Sequence, residues 1–299
     1  MGQMVQFALV KKLFFSLVVL ASLAFLWFKA DFPSMKKVED VAGDKDQKSE
    51  ILRFAIVADS HGDNENLKMA LDLAKSWSAN FVVGLGDYTE VGTRGQLNGA
   101  KKVFDKSGLK YYLTPGDHDL WDSRNRGEEA LYNYRDVFGE PSQVFEKAGV
   151  EFLIVDNSDI YKGISDSDWQ LVNENLSRTA TPQLIFVFSH KTPYHPQSAH
   201  IMGEETQSVA AQAKEYLKLL EGSKVDGFFS GDLHFFAEFS SYASDGGFGG
   251  STSGGKSNDG VKISTIGAVG SERNFQGPRF AVVKVYSDYS WEVEDVEIR

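Results

Sequence analysis

The chain contains no cysteine. Disulfides, thiolate metal sites and cysteine nucleophiles are therefore excluded, and any metal ligands must be carboxylates or imidazoles. Positive charge is also in short supply, with 31 Lys and Arg against 42 Asp and Glu, a net charge of −11. Residues 1–30 carry Lys11, Lys12 and Lys29 and no acid, so the remainder stands at −11 − 3 = −14. Wrapping long nucleic acid relies on many Lys/Arg–phosphate contacts, which argues against that partner and against a nuclease. A small phosphate substrate responds to the local site and is not excluded. No GxSxG elbow is present, which leaves a serine-hydrolase reading without support.

What is there begins with a hydrophobic segment. LFFSLVVLASLAFLWF (13–28) follows Lys11 and Lys12, and with the preceding VQFALV it approaches the roughly 20 residues that span a bilayer as a helix. FKA (28–30) puts Phe where a signal-peptide cleavage site needs a small residue, so 1–30 reads as an uncleaved anchor. The expectation is a membrane-anchored protein with its domain outside the cytoplasm; cleavage would make it secreted. Residues 31–50 are polar, mixed in charge and without periodicity, and read as a flexible linker. The folded domain is expected over 51–299. Its 42% hydrophobic and 24% charged composition is ordinary for a globular chain.

Within it, apolar runs alternate with helical patterns. RFAIVA (53–58), FVVGL (81–85) and KYYL (110–113) read as strands, separated by helices at 64–79, with Asn64 as N-cap, and at 96–108. Further strands are expected at 152–156, 184–189 and 226–230, and helices at 165–176 and near 204–221. The last third turns to strand signals at 234–242, 261–267, 279–286 and 291–298. The alternation predicts parallel pairing with crossover helices, in a two-sheet α/β body with helices outside. SDGGFGGSTSGGKSNDG (244–260) reads as a mobile Gly/Ser-rich loop.

The chemistry lies just beyond the apolar runs, because α/β sheets gather ligand groups at the carboxyl ends of their strands. At those ends stand Asp59 and His61; Asp87; Asp117, His118 and Asp119; His190; and Asp232 and His234. One such Asp is usually a turn residue or helix cap. Four of the six histidines falling at strand ends beside these acids points instead to metal binding. His195 and His200 read as loop residues, and Asp122 as a solvated loop acid.

DSH (59–61), GD (86–87), GDHD (116–119), H (190) and GDLH (231–234) stand in the order D-x-H, G-D, G-N-H-[D/E], H, G-H-x-H, and over about residues 51–290 the chain resembles the calcineurin-like metallophosphoesterases. Residues 138–158 also resemble the link region of acid-phosphatase-like and phosphodiesterase-like members. The resemblance implies a four-layer α/β/β/α sandwich and hydrolysis of a small phosphoester by a hydroxide bridging two metal ions. Asp59, His61 and His234 would hold the first metal, Asp87 would bridge, and His190 would serve the second. His118 would steady the phosphoryl oxygens or protonate the leaving alkoxide, and Asp119 would orient it. Arg124 and Arg273 are candidates to meet substrate phosphate, and no protein partner is evident.

Two positions depart from the pattern. Asp117 stands in place of the Asn, and Asp232 in place of the first His of G-H-x-H. Ligation by both gives four carboxylates, which would cancel two divalent cations. The expectations are a harder ion at the second position (Mn, Fe or Mg, with Zn possible at the first), and diesters favoured over dianionic monoesters. The rival reading is a non-catalytic metal- or partner-binding domain on the same fold.

Overall fold

The computed structural model describes residues 48–178, 182–241 and 260–299. Two mixed sheets face each other. The first has the order β11-β10-β1-β2-β3, with β1 (Glu50–Val57), β2 (Val82–Gly84) and β3 (Tyr111–Leu113) parallel. β10 (Arg279–Tyr286) and β11 (Trp291–Glu297) complete it as antiparallel neighbours. The second has the order β4-β5-β6-β7-β9-β8. Its parallel centre is β5 (Val150–Ile154), β6 (Leu184–Ser189), β7 (Gly227–Ser230) and β9 (Lys262–Thr265). Antiparallel β4 (Gln143–Lys147) and β8 (Ala237–Ser240) close its edges.

Side chains alternate across each strand, which produces three apolar layers. Phe54 and Ile56 of β1 point between the sheets, where they meet Phe152, Phe186, Phe188 and Phe229. Ala55 and Val57 point outward to Leu67 and Leu71 of α1 (Asn64–Ser76) and to Leu97 and Phe104 of α2 (Arg94–Ser107). On the far side, Val187 and Phe228 pack against Val172 of α5 (Asp166–Leu176) and Tyr216 of α6 (Gln207–Gly222). The α/β/β/α layering is thus present. Strands buried on both faces become near-continuous apolar runs, which is why they stood out in the sequence.

Short α3 (Trp121–Asn125) and α4 (Tyr132–Phe138) follow β3. Several local details differ from expectation. Asp63, not Asn64, caps α1, its carboxylate accepting from Asn66 N. Glu50, expected in the linker, already pairs with Tyr286 in β1. β4 has no strong period-2 apolar pattern and gave no strand signal. Among the described residues no helix is long and apolar enough to cross a membrane. The expected anchor (1–30) and nearly all of the Gly/Ser-rich loop (244–260) lie outside the described residues.

GSTSGGKS (250–257) has the spelling of a phosphate-binding GxxxxGK[ST] loop. That motif needs a strand before it and a helix after it, whereas this segment joins the antiparallel neighbours β8 and β9.

Candidate metal centre

The parallel strands of both sheets end at one place. Asp59 follows β1, Asp87 follows β2, Asp117 follows β3, His190 follows β6 and Asp232 follows β7. Backbone bonds stitch these ends together: Asp59 N donates to Gly86 O, His61 N to Asp87 O, and Gly231 N to His190 O. The two sheets are pinned to each other by His190 Nδ1, 2.6 Å from Leu85 O, and by Asp232 N, which donates to the Asp59 carboxylate at 3.1 Å.

Five candidate metal ligands, Asp59, His61, Asp87, Asp232 and His234, have positive φ, out of nine such non-glycine residues among those described. Left-handed backbone costs an L-residue roughly 1–2 kcal/mol, so these turns are held by their surroundings. Close approach is secured by Gly86 and Gly116. A Cβ on Gly116 would sit 2.1 Å from Asp87 Oδ1, and one on Gly86 would sit 2.2 Å from Gly116 N.

Three groups of donors converge, two at the strand ends and a third, His61, Glu90 and His118, beside them. Asp59, His61, Asp87 and His234 form the first. His61 Nε2 lies 3.1 Å from His234 Nε2 and 3.7 Å from Asp87 Oδ2, and His234 Nε2 lies 4.0 Å from Asp59 Oδ1. Asp87, Asp117 and His190 form the second. His190 Nε2 lies 3.5 Å from Asp117 Oδ1 and 3.6 Å from Asp87 Oδ2 and Asp232 Oδ1. Ligands about 2.1 Å from one ion stand about 3.0–3.4 Å apart, so both groups come close to the required spacing. His190 Nε2 is buried, has no hydrogen-bond partner and faces three carboxylate oxygens, an arrangement that calls for a cation.

Electrostatics agree. Burial raises the pKa of Asp59 and Asp87, only partly opposed by neighbouring histidines. Burial, then the charge of His118, depresses His61 to about 3. His190 is raised well above the imidazole range because Asp87 and Asp117 overcome its burial. Asp87 belongs to both groups, its Oδ2 facing His61 on one side and His190 on the other.

His118 lies beside the first group, its ring 4.7 Å from that of His61 and stacked on Trp121 at 3.8 Å. Its Nδ1–H donates to Glu90 O at 2.8 Å, which leaves Nε2 for a ligand. Burial lowers its pKa. The orienting role expected of Asp119 therefore falls to the Glu90 carbonyl. Asp119 turns away and accepts from Tyr88 N (3.3 Å), Thr89 N (3.1 Å), Thr89 Oγ1 (2.8 Å) and Gly116 N (3.1 Å). It ties the Asp87 loop to the Asp117–His118 loop.

The two arginines differ. Arg273 is exposed, and its charge is a minor contributor to the lowering of both His61 and His118. Arg124 is turned to Asp159 at 3.5 Å and to the Tyr161 ring. Asp122 is not merely solvated: it pairs with Arg126 at 2.9 Å and accepts from Asn133 at 2.8 Å.

Two cations at the second group went unread in the sequence. Lys191 is buried, with Nζ 2.7 Å from Asp232 Oδ1 and 3.4 Å from Asp117 Oδ1. His200 Nε2 lies 3.3 Å from Asp232 Oδ1, a contact that raises its pKa to about 9 against the effect of burial. His195 is the loop residue expected, its Nδ1 accepting from Gln197 N and Ser198 N. Burial would raise Asp117 and Asp232, but both are held below the usual carboxylate range, Asp117 by His190 and Lys191, Asp232 by Lys191 and His200.

Residues 52–236 match the family model for calcineurin-like phosphoesterase. The chain belongs to that family. It is a phosphoesterase, and the family implies a dimetal site that the two converging groups can supply. Among solved structures, a purple acid phosphatase from yellow lupin (Lupinus luteus) seeds shares the fold at TM-score 0.59 and 12% identity. That match covers 83% of this chain and 52% of the lupin enzyme, so the chain spans about half its length. A dimetal phosphatase from Danio rerio matches at TM-score 0.51 and 14% identity, covering 84% of this chain and all of the other. Comparison with curated protein sequences found no match.

Proposed function

We propose that this calcineurin-like phosphoesterase hydrolyses phosphate diesters ahead of monoesters at the strand-end centre, with His118 serving the phosphoryl group. Metal held there supplies an acidified water and positive charge for the phosphoryl oxygens. The ligand set is Asp59, His61, Asp87 and His234 at the first position and Asp87, Asp117, His190 and Asp232 at the second. His118 presents Nε2 with its ring fixed by Glu90 O and Trp121. An anionic phosphate raises the affinity of that imidazole for a proton, and the resulting Nε2–H steadies a phosphoryl oxygen or passes to the leaving alkoxide as the P–O bond breaks. Exposed Arg273 is the cation read as meeting the same phosphate.

The observation that carries the hydrolytic reading is His118 itself. It is mostly buried, fixed through one nitrogen and free at the other beside the metal ligands, where an imidazole can serve a phosphoryl group. The diester preference rests on charge. Four carboxylates and buried Lys191 give −4 + 1 = −3, against −2 for a site with two carboxylates. His200, half-exposed and 3.3 Å from Asp232, offsets part of that difference. A less positive site penalises the second charge of a monoester. The harder-ion expectation stands with it, since Asp117 and Asp232 add oxygen donors. We read the apolar segment 13–28, preceded by Lys11 and Lys12, as a membrane tether with the domain outside the cytoplasm.

The test is turnover of bis(nitrophenyl) phosphate against nitrophenyl phosphate by the Mn²⁺-loaded full chain. A kcat/KM higher for the diester is expected; equal values or a monoester preference would remove the charge argument.

A further inference from the structure

We infer that Lys191 is a built-in cation of the second metal position, competing with a metal ion for Asp117 and Asp232. On this account the chain holds one metal tightly, at Asp59, His61, Asp87 and His234, and a second only weakly.

Three observations carry this. The oxygens involved are the same ones: Asp117 Oδ1 and Asp232 Oδ1 face His190 Nε2 at 3.5 and 3.6 Å, and Lys191 Nζ reaches them at 3.4 and 2.7 Å. An ammonium that bonds these lone pairs lowers the negative charge left for a metal. The two residues that depart from the family pattern are also the two that touch Lys191. A buried ammonium needs carboxylate partners, which an Asn and a His do not provide, so the lysine and both substitutions form one set. Finally, the first group has no such cation. Among the described residues, the only ion-pair partners of Asp59 and Asp87 are histidines.

The lysine is placed, not loose. Asn157, itself buried, clamps its backbone from both sides, accepting from Lys191 N at 3.0 Å and donating to Lys191 O at 2.7 Å. A fixed ammonium bonded to the same carboxylates repels a divalent ion even at an effective dielectric near 20, and a separation on the order of 100-fold, about 2.7 kcal/mol, lies well within that repulsion.

The inference gives that same centre its metal count, and it rests on the metal-dependent reading. Its test uses no turnover, so the two can fail separately. The full chain is titrated with Mn²⁺, and the free ion is read by electron paramagnetic resonance. The wild type is expected to fill one tight position, with a second about 100-fold weaker. Lys191→Met should bring the second within about 10-fold of the first. Lys191→Gln, which removes the charge but keeps a donor, should do the same if the methionine variant folds poorly. A gain in affinity separates this role from a structural one, because a damaged fold weakens both positions. Two equal positions in the wild type, or a second position that stays weak in both variants, would overturn the inference. If the variants gain the metal while no phosphoester is cleaved, the inference stands and the hydrolytic reading fails.

Discussion

Asp119→Asn separates two roles that sequence adjacency to His118 confuses. The carboxylate is fully buried and takes four hydrogen bonds, Oδ1 from Thr89 N and Oγ1, Oδ2 from Tyr88 N and Gly116 N. An asparagine keeps its oxygen toward the Thr89 pair and turns an NH₂ toward the other two donors. Two buried N–H groups then lose their acceptor, at about 1–3 kcal/mol each. Because the Tyr88 contact is long, and because burial raises Asp119 to about 6 so that an uncharged amide sheds part of that penalty at pH 7, a net loss of about 1–2 kcal/mol is expected. Urea unfolding of the metal-free chain should show this as a lower midpoint with an unchanged slope. Turnover should also fall, since the Asp87 and His118 loops are no longer tied. The pH–rate profile should keep its shape, because His118 is oriented by Glu90 O. A profile displaced by a unit or more, with stability unchanged, would show that Asp119 acts on the imidazole directly and refute this assignment.

His118→Ala should lower kcat by about 10²–10⁴-fold while bound metal, counted by elemental analysis, stays the same; a loss of metal would make His118 a ligand. Asp156→Asn tests a buried acid outside the ligand groups. Burial raises Asp156 to about 6 against its bonds from Ser158, so the folded chain keeps this proton to higher pH than the unfolded chain does. Its contribution is fully present below about pH 4 and is lost as pH rises to about 6. The variant should therefore be more stable than wild type by about 1–3 kcal/mol at pH 7 and equal to it at pH 4, by thermal unfolding at both pH values.

Much of this site was legible because fully buried parallel strands write themselves as apolar runs, and the chain places its functional groups just beyond them. Asp59, Asp87, Asp117, His190 and Asp232 could be found by reading the residues at the end of each run. Orientation could not be found that way. Asp119 adjoins His118 in sequence, but the turn at 116–120 sends its carboxylate toward residues 88–89. Lys191 gave no signal at all: a lysine after a histidine in a loop reads as solvated. Only the meeting of two sheets shows that it is buried between Asp117 and Asp232. The same holds for His200, whose partner comes from another strand end.

The most direct test of the account is Asp87→Asn, because Asp87 faces both His61 and His190 and belongs to both ligand groups. Hydrolysis of a bis(nitrophenyl) phosphate by wild type and variant would be measured with Mn²⁺ and with chelator, alongside circular dichroism to confirm folding. The account predicts chelator-sensitive turnover in the wild type and near-total loss in a folded variant with less bound metal. Turnover that survives both the substitution and the chelator would contradict metal-dependent hydrolysis at this centre.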